Sequence, residues 1–233
     1  MKAAVYCATR NIYHKIIPSL KSLLKNTSVE KVFLLVEDDH PDIGIPDWAP
    51  VEYINVSEQT WFPRAGVNSN SWWTYMVLMR IVLCKILPPD LDKVLSLDCD
   101  TIINENVDEL WDLSLVDHYF AAVRETHRVF PVEPYFNAGV VMWNLKQMRD
   151  GKADEIVTRL NTVQYTFPDQ DAMNIMCHDR TIELRSWYNA NRFTTPTDRP
   201  KIFHYAATGT WYEHEPLVQK YKAMRWEDIH DQI

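Results

Sequence analysis

The stretch "KVLSLDCDTI", residues 93–102, ends an apolar run with two aspartates one residue apart, Asp98 and Asp100. Residues i and i+2 of a strand face the same way, so a strand running this far would aim both carboxylates at one spot. Two carboxylates that close share a proton, pair with a base or hold a cation. A solvated turn with a helix cap leaves the same trace, so the pair alone does not decide. The chain has 24 Lys and Arg against 32 Asp and Glu, a formal net charge of −8. An anionic ligand therefore needs positive charge supplied locally, and a metal between the aspartates would supply it.

The elements that must position this pair follow from hydrophobic patterning. "KAAVYCAT" reads as a buried strand and "IIPSLKSLLKN" as a helix with Leu20, Leu23 and Leu24 on one face. "KVFLLVE" is a second strand, followed by the acidic turn "DDHPD", and "VEYINV" alternates as a third. Residues 57–73 are polar and aromatic without periodicity, a loop long enough to suggest function. "TYMVLMRIVLCKIL" has helical length and stops at Pro88 and Pro89. "DKVLSLD" is the next strand, then a helical turn in "VDELWDL". "YFAAVRE" and "NAGVVMWNL" are further strands around the irregular "THRVFPVEPYF". A helix is expected over 146–160, another from Pro168 or Asp169, and a late strand in "KIFHYA". Strand and helix alternate, which predicts an α/β sandwich with a mainly parallel central sheet. With no repeat, low-complexity tract or linker, one domain over 1–233 is expected. Asp98 and Asp100 then lie beyond the carboxyl end of a parallel strand, where such sheets bind ligands.

Composition removes several classes. The acidic balance disfavours a phosphate-coating nucleic-acid binder. No apolar run approaches a membrane span, and "MKAAVYCATRN" lacks the core of a secretory signal. Cys7, Cys84, Cys99 and Cys177 are widely spaced without CxxC, which suggests free, packed thiols and a cytoplasmic location. The five glycines cannot be written as a dinucleotide fingerprint or a P-loop.

Two enzyme classes use such an aspartate pair. "VLSLDCDT" fits the nucleophilic strand of haloacid-dehalogenase phosphatases. There, however, the acidic pair follows that strand, whereas here "EDD" at 37–39 precedes it. The other class is the nucleotide-sugar glycosyltransferases, whose two carboxylates hold a metal that neutralises the donor diphosphate. That reading needs a third protein ligand. His204 in "KIFHYA" is the candidate, although a lone histidine in an apolar strand can equally be packed core. Imidazole, two carboxylates and phosphate oxygens suit Mn2+ better than Mg2+, with Mg2+ the alternative.

Five stretches in order, "ATRNIY", "MRIVLCKILPPDLDKVLSLDCDTII", "YFNAGVVMWNL", "FPDQDAMN" and "FHYAATGTW", make the chain resemble family 8 retaining glycosyltransferases from residue 8 to 211. The resemblance implies a GT-A fold, a Rossmann-like sandwich that binds a UDP-sugar and moves its hexose, glucose or galactose, to a hydroxyl acceptor such as a glycan. It makes Asp98, Asp100 and His204 metal ligands, with Cys99 between the aspartates in the donor site. Asn11 and Tyr13 match positions at the ribose and uracil, with Ala8 and Thr9 beside the base. Arg80 matches the donor-binding arginine, and a buried Arg needs a carboxylate or phosphate partner. Asn137 matches a donor-sugar asparagine, and Ala138 and Gly139 allow close approach of the ligand. Asp169 matches the residue on the sugar hydroxyls and Gln170 the side chain facing the anomeric carbon, the catalytic pair. Asp171 suits the first turn of a helix through its dipole. Relatives commonly carry a lysine on the diphosphate after the His–Tyr pair. "HYAATGTW" has none, which leaves Thr208, Gly209 and Thr210 as donors. Leu78 and Met79 stand where a Ser or Thr usually precedes the arginine. A catalytically silent nucleotide-sugar-binding module is the remaining alternative, and the intact "DQD" speaks against it. Trp61, Phe62, Trp72, Trp73, Trp187 and Tyr188 flank polar loops where an acceptor sugar could stack.

Overall fold

A computed structural model describes residues 1–70, 74–126 and 131–230. Trp72 and Trp73, and residues 127–130 of the irregular stretch, lie outside the described residues. In chain order the elements are β1 (Ala3–Cys7), α1 (Tyr13–Asn26), β2 (Lys31–Val36), β3 (Val51–Asn55), α2 (Tyr75–Leu78), α3 (Leu83–Ile86), β4 (Lys93–Leu97), β5 (Thr101–Ile103) and β6 (Phe120–Arg124). There follow β7 (Phe136–Asn144), α4 (Leu145–Gln147), α5 (Ala153–Leu160), α6 (Pro168–Cys177), β8 (Thr181–Leu184), β9 (Ile202–His204), α7 (Pro216–Ala223) and α8 (Glu227–His230).

Seven strands form one sheet in the order β3-β2-β1-β4-β7-β6-β8. All neighbours pair in parallel except β7, which runs against both β4 and β6. The expected α/β sandwich with a mainly parallel sheet is therefore what the chain forms. Its inner strands are apolar on both faces, and their period of two divides the core. Ala3, Val5, Phe33, Leu35 and Val94 pack under α2, α3, α5 and α6, while Ala4, Tyr6, Val32, Leu34 and Leu95 pack under α1.

Two long helices expected from periodicity are interrupted. Residues 74–87 form α2, a 3-10 turn (Met79–Val82) and α3, ended as expected before Pro88 and Pro89. The helix over 146–160 breaks at Gly151, whose φ of 92° is a left-handed conformation that glycine adopts without a Cβ penalty. β5 and β8, short and flanked by polar residues, were not anticipated. β5 pairs antiparallel with β9 in a separate two-stranded sheet. No helix among the described residues is long and apolar enough to cross a membrane, and the four cysteines are free.

Candidate active site

β4 stops at Leu97, so Asp98 and Asp100 converge through a turn and not through strand pleating. The Thr101 amide and hydroxyl both donate to the Asp98 carbonyl, at 3.2 and 2.8 Å, and close that turn. The chain then enters β5, where Thr101 lies opposite His204 of β9, and the Tyr205 amide donates to the Asp100 carbonyl at 3.0 Å. This register carries His204 to the aspartates. Its Nε2 stands 3.5 Å from Asp98 Oδ2 and 3.4 Å from Asp100 Oδ1. Among the described residues these three side chains offer ligand atoms within 4.8 Å of one another.

The imidazole is oriented from behind. Asn189 Oδ1 accepts from His204 Nδ1 at 2.8 Å, and Asn189 Nδ2 donates to Asn137 Oδ1 at 2.8 Å. With Nδ1 as the donor, Nε2 faces the carboxylates and, in the neutral ring, offers its lone pair to a metal. Gly139 makes the space, since the three atoms nearest a Cβ added there all belong to the His204 ring. Two carboxylate oxygens and one imidazole nitrogen are a donor set that fits a divalent cation. Without a metal, burial disfavours the His204 cation, but Asp100 and Asp98 outweigh it and its pKa is raised. Burial likewise opposes the Asp100 carboxylate, and the facing imidazole outweighs it, so that its pKa is lowered.

Arg80 ties the turn to the rest of the site. Buried in the 3-10 turn, it places Nη2 2.6 Å from Asp98 Oδ1 and Nε 3.0 Å from Asp169 Oδ2, and its Nη1 donates to the Ala138 carbonyl. Burial alone would lower its pKa, but Asp98 and Asp169 more than reverse that, and the guanidinium is held charged. Asp169 and Gln170 open α6 directly after Pro168, whose missing N–H costs nothing at a helix start. Gln170 Oε1 accepts from the Ala138 amide at 2.8 Å, while its Nε2 donates to Glu125 at 3.1 Å and to the Tyr135 hydroxyl at 3.3 Å. Asn137 Nδ2 donates to the same Glu125 oxygen at 2.6 Å. Asp171 does more than suit the helix dipole. It accepts from the Tyr135 hydroxyl at 2.5 Å and from the amides of Thr166 and Phe167 at 3.1 and 2.9 Å.

One cleft of about 370 Å³ exposes Arg80, Asp98, Cys99, Asp100, Asn137, Ala138, Gly139, Asp169, Gln170 and His204 together. The remaining expected residues do not line this cleft. Ala8 is buried and donates its amide to the Leu35 carbonyl at 3.0 Å. Thr9 Oγ1 donates to Asn11 Oδ1 at 2.5 Å. Tyr13 accepts from the Glu37 amide at 2.6 Å, donates to Asp38 Oδ2 at 3.1 Å, and borders a second, open hollow with Arg10 and His40. Thr208 turns its hydroxyl and amide back to the Tyr205 carbonyl, and Gly209 takes a φ of 61°. Phe62, suggested for sugar stacking, is a core residue beneath its loop, and Trp61 packs against the same core. Glu125, Asn189, Lys15, Phe167 and Phe193 belong to the site or its support and were missed. Glu125 alone had a signal, as a carboxylate ending the apolar run "YFAAVRE".

The family model described as glycosyl transferase family 8 matches residues 4–209. A probable glycosyl transferase, Gly, of Streptococcus gordonii is 22% identical over all of this chain and 37% of its own length. The lipopolysaccharide 1,2-glucosyltransferase of Escherichia coli K12 is 28% identical over 64% of this chain and 54% of its own length. The chain thus spans about a third to a half of these curated relatives. Among solved structures, the glycosyltransferase GlyE of Streptococcus pneumoniae TIGR4 superposes with a TM-score of 0.74 at 21% identity, over 99% of this chain and 62% of that one. The galactosyltransferase LgtC, in complex with donor and acceptor sugar analogues, gives 0.66 at 20% identity over 97% and 98% of the two chains. The fold shared with these structures is GT-A.

Proposed function

The chain belongs to glycosyl transferase family 8, and from that membership we propose that it moves a hexose, glucose or galactose, from a UDP-sugar to a glycan hydroxyl with retention of configuration, using Mn2+. The observation that carries this reading is the meeting of Asp98, Asp100 and His204 in the cleft that also exposes Asn137, Asp169 and Gln170. A cation bound by the first three would neutralise the donor diphosphate as it leaves.

The chain's own side chains account for the rest. Arg80, held by Asp98 and Asp169, fixes the metal turn relative to α6. Asp169 and Asn137 orient the sugar, and Gln170, locked by the Ala138 amide, Glu125 and Tyr135, offers a fixed dipole to positive charge developing at the anomeric carbon. An amide is a poor nucleophile, so front-face displacement is favoured, with the departing phosphate taking the acceptor proton.

Purified protein with Mn2+ should slowly hydrolyse UDP-glucose or UDP-galactose without an acceptor and leave p-nitrophenyl phosphate untouched. NMR of the transferred sugar should show the donor's α configuration. Rapid release from the phosphate ester, abolished by Asp98→Asn, would favour a phosphatase. A β-linked product would overturn retention.

A further inference from the structure

The cleft that exposes Asp98, Asp100 and His204 also exposes Lys15, from the first turn of α1, a residue to which no motif assigns a role. Its ammonium lies over the Tyr212 ring, 5.7 Å from the centroid, and among the described residues it makes no ion pair and no hydrogen bond. The Tyr212 hydroxyl, on a buried ring, reaches the Lys15 carbonyl at 3.3 Å and the Cys99 carbonyl at 3.1 Å. That hydroxyl staples the start of α1 to the turn between the two aspartates, so Lys15 is held beside the metal cluster by its own backbone.

Charge then decides what Lys15 faces. The cleft holds four carboxylates, Asp98, Asp100, Glu125 and Asp169, and two cations, Arg80 and Lys15. Arg80 is committed to Asp98, Asp169 and the Ala138 carbonyl. A divalent cation offsets two of the carboxylates, and an entering diphosphate restores the negative excess. Thr208 cannot relieve it as placed, since its hydroxyl and amide both point to Tyr205. We propose that Lys15 is the side chain that receives the diphosphate of the donor, swinging from the Tyr212 face to the phosphate oxygens. The proposal rests on the reading of the cleft as a nucleoside-diphosphate-sugar site.

Calorimetric titrations of wild type, Lys15→Gln and Lys15→Arg at saturating Mn2+ test it, with UDP, uridine and inorganic pyrophosphate as probes. Lys15→Gln should weaken UDP and pyrophosphate by roughly 10- to 100-fold, the range for one hydrogen bond to a charged group. Uridine and Mn2+ binding should be unchanged, and Lys15→Arg should retain most of the phosphate affinity. Equal UDP affinity in wild type and Lys15→Gln would overturn the role of Lys15 while leaving the UDP-sugar reading intact. Lys15-dependent binding of pyrophosphate without UDP binding would overturn the uridine donor and support Lys15. Failure of wild type to bind either would overturn both. Should Lys15→Gln fold poorly, Lys15→Met repeats the comparison, and a loss extending equally to Mn2+ alone would mark a structural role and overturn the proposal.

Discussion

Gly139 offers the sharpest test of how the metal cluster is built. A Cβ at this position would lie 2.5 Å from His204 Nδ1 and 2.8 Å from Nε2, and closer still to Cε1. To regain ordinary contact at roughly 3.5–4.0 Å the ring must retreat by about 1 Å or more. Forcing a side chain into a packed interior costs about 1–3 kcal/mol, and breaking the buried His204–Asn189 hydrogen bond adds about 1 kcal/mol. Unfolding entropy of about 2.1 cal/mol/K per residue comes to about 0.5 kcal/mol/K for 233 residues. Gly139→Ala should therefore lower Tm by about 4–8 °C and weaken Mn2+ by at least roughly tenfold as the third ligand turns away. Thermal unfolding and Mn2+ titration read the two effects. The double variant Gly139→Ala/His204→Ala isolates the cause: without the ring, the added methyl should cost much less, giving a strong coupling energy. Wild-type Tm and Mn2+ affinity in Gly139→Ala, or additive costs in the double variant, would refute the argument.

Replacing Asn189 by Leu removes the acceptor of His204 Nδ1. Mn2+ affinity should fall by roughly 10- to 100-fold, and unchanged affinity in a folded variant would show that ring orientation is set elsewhere. Gln170→Ala should lower kcat by roughly 100-fold or less with UDP affinity nearly unchanged, whereas Asp100→Ala should lose binding and turnover together. The pH dependence reverses with metal. In the metal-free protein the raised His204 pKa contributes stability that is complete below the ordinary histidine value of 6.5 and lost as pH rises through the folded value. The lowered Asp100 pKa contributes stability that is present above 3.8 and lost as pH falls through its folded value. Mn2+ needs the neutral imidazole, so the Tm gain on adding Mn2+ should grow as pH rises from the ordinary histidine value of 6.5 through the raised folded value; a gain independent of pH there would contradict His204 as a ligand.

The alternating elements and the sheet class were legible because buried parallel strands are apolar on both faces, as "KVFLLVE" and "DKVLSLD" are. The aspartate pair stood out for the same reason, being polar at the end of such a run. Its geometry did not. The convergence of Asp98 and Asp100 comes from a turn closed by Thr101, and β5 is only three residues long, too short for a pattern to form. Asn189 and Lys15 were silent because their roles depend on partners 15 and 197 positions away along the chain, His204 and Tyr212, which tertiary contact alone reveals. The breaks at Met79–Val82 and Gly151 escaped periodicity because hydrophobic spacing persists through one tightened or kinked turn.

The separate pairing of β9 with β5 has a bearing on how the protein comes to work during synthesis. Every strand of the seven-stranded sheet lies before residue 185, and β9 joins none of them as a ladder partner. A chain emerging N-terminus first can thus complete its main sheet while residues 185–204 are still to come. Closing Thr101 onto His204 joins positions far apart in sequence, and such long-range contacts are slow to form. The nascent chain can accordingly hold a built scaffold while His204 is still apart from Asp98 and Asp100. Competence arrives in a late docking step, so a slow variant of that step would delay activity without delaying the appearance of secondary structure.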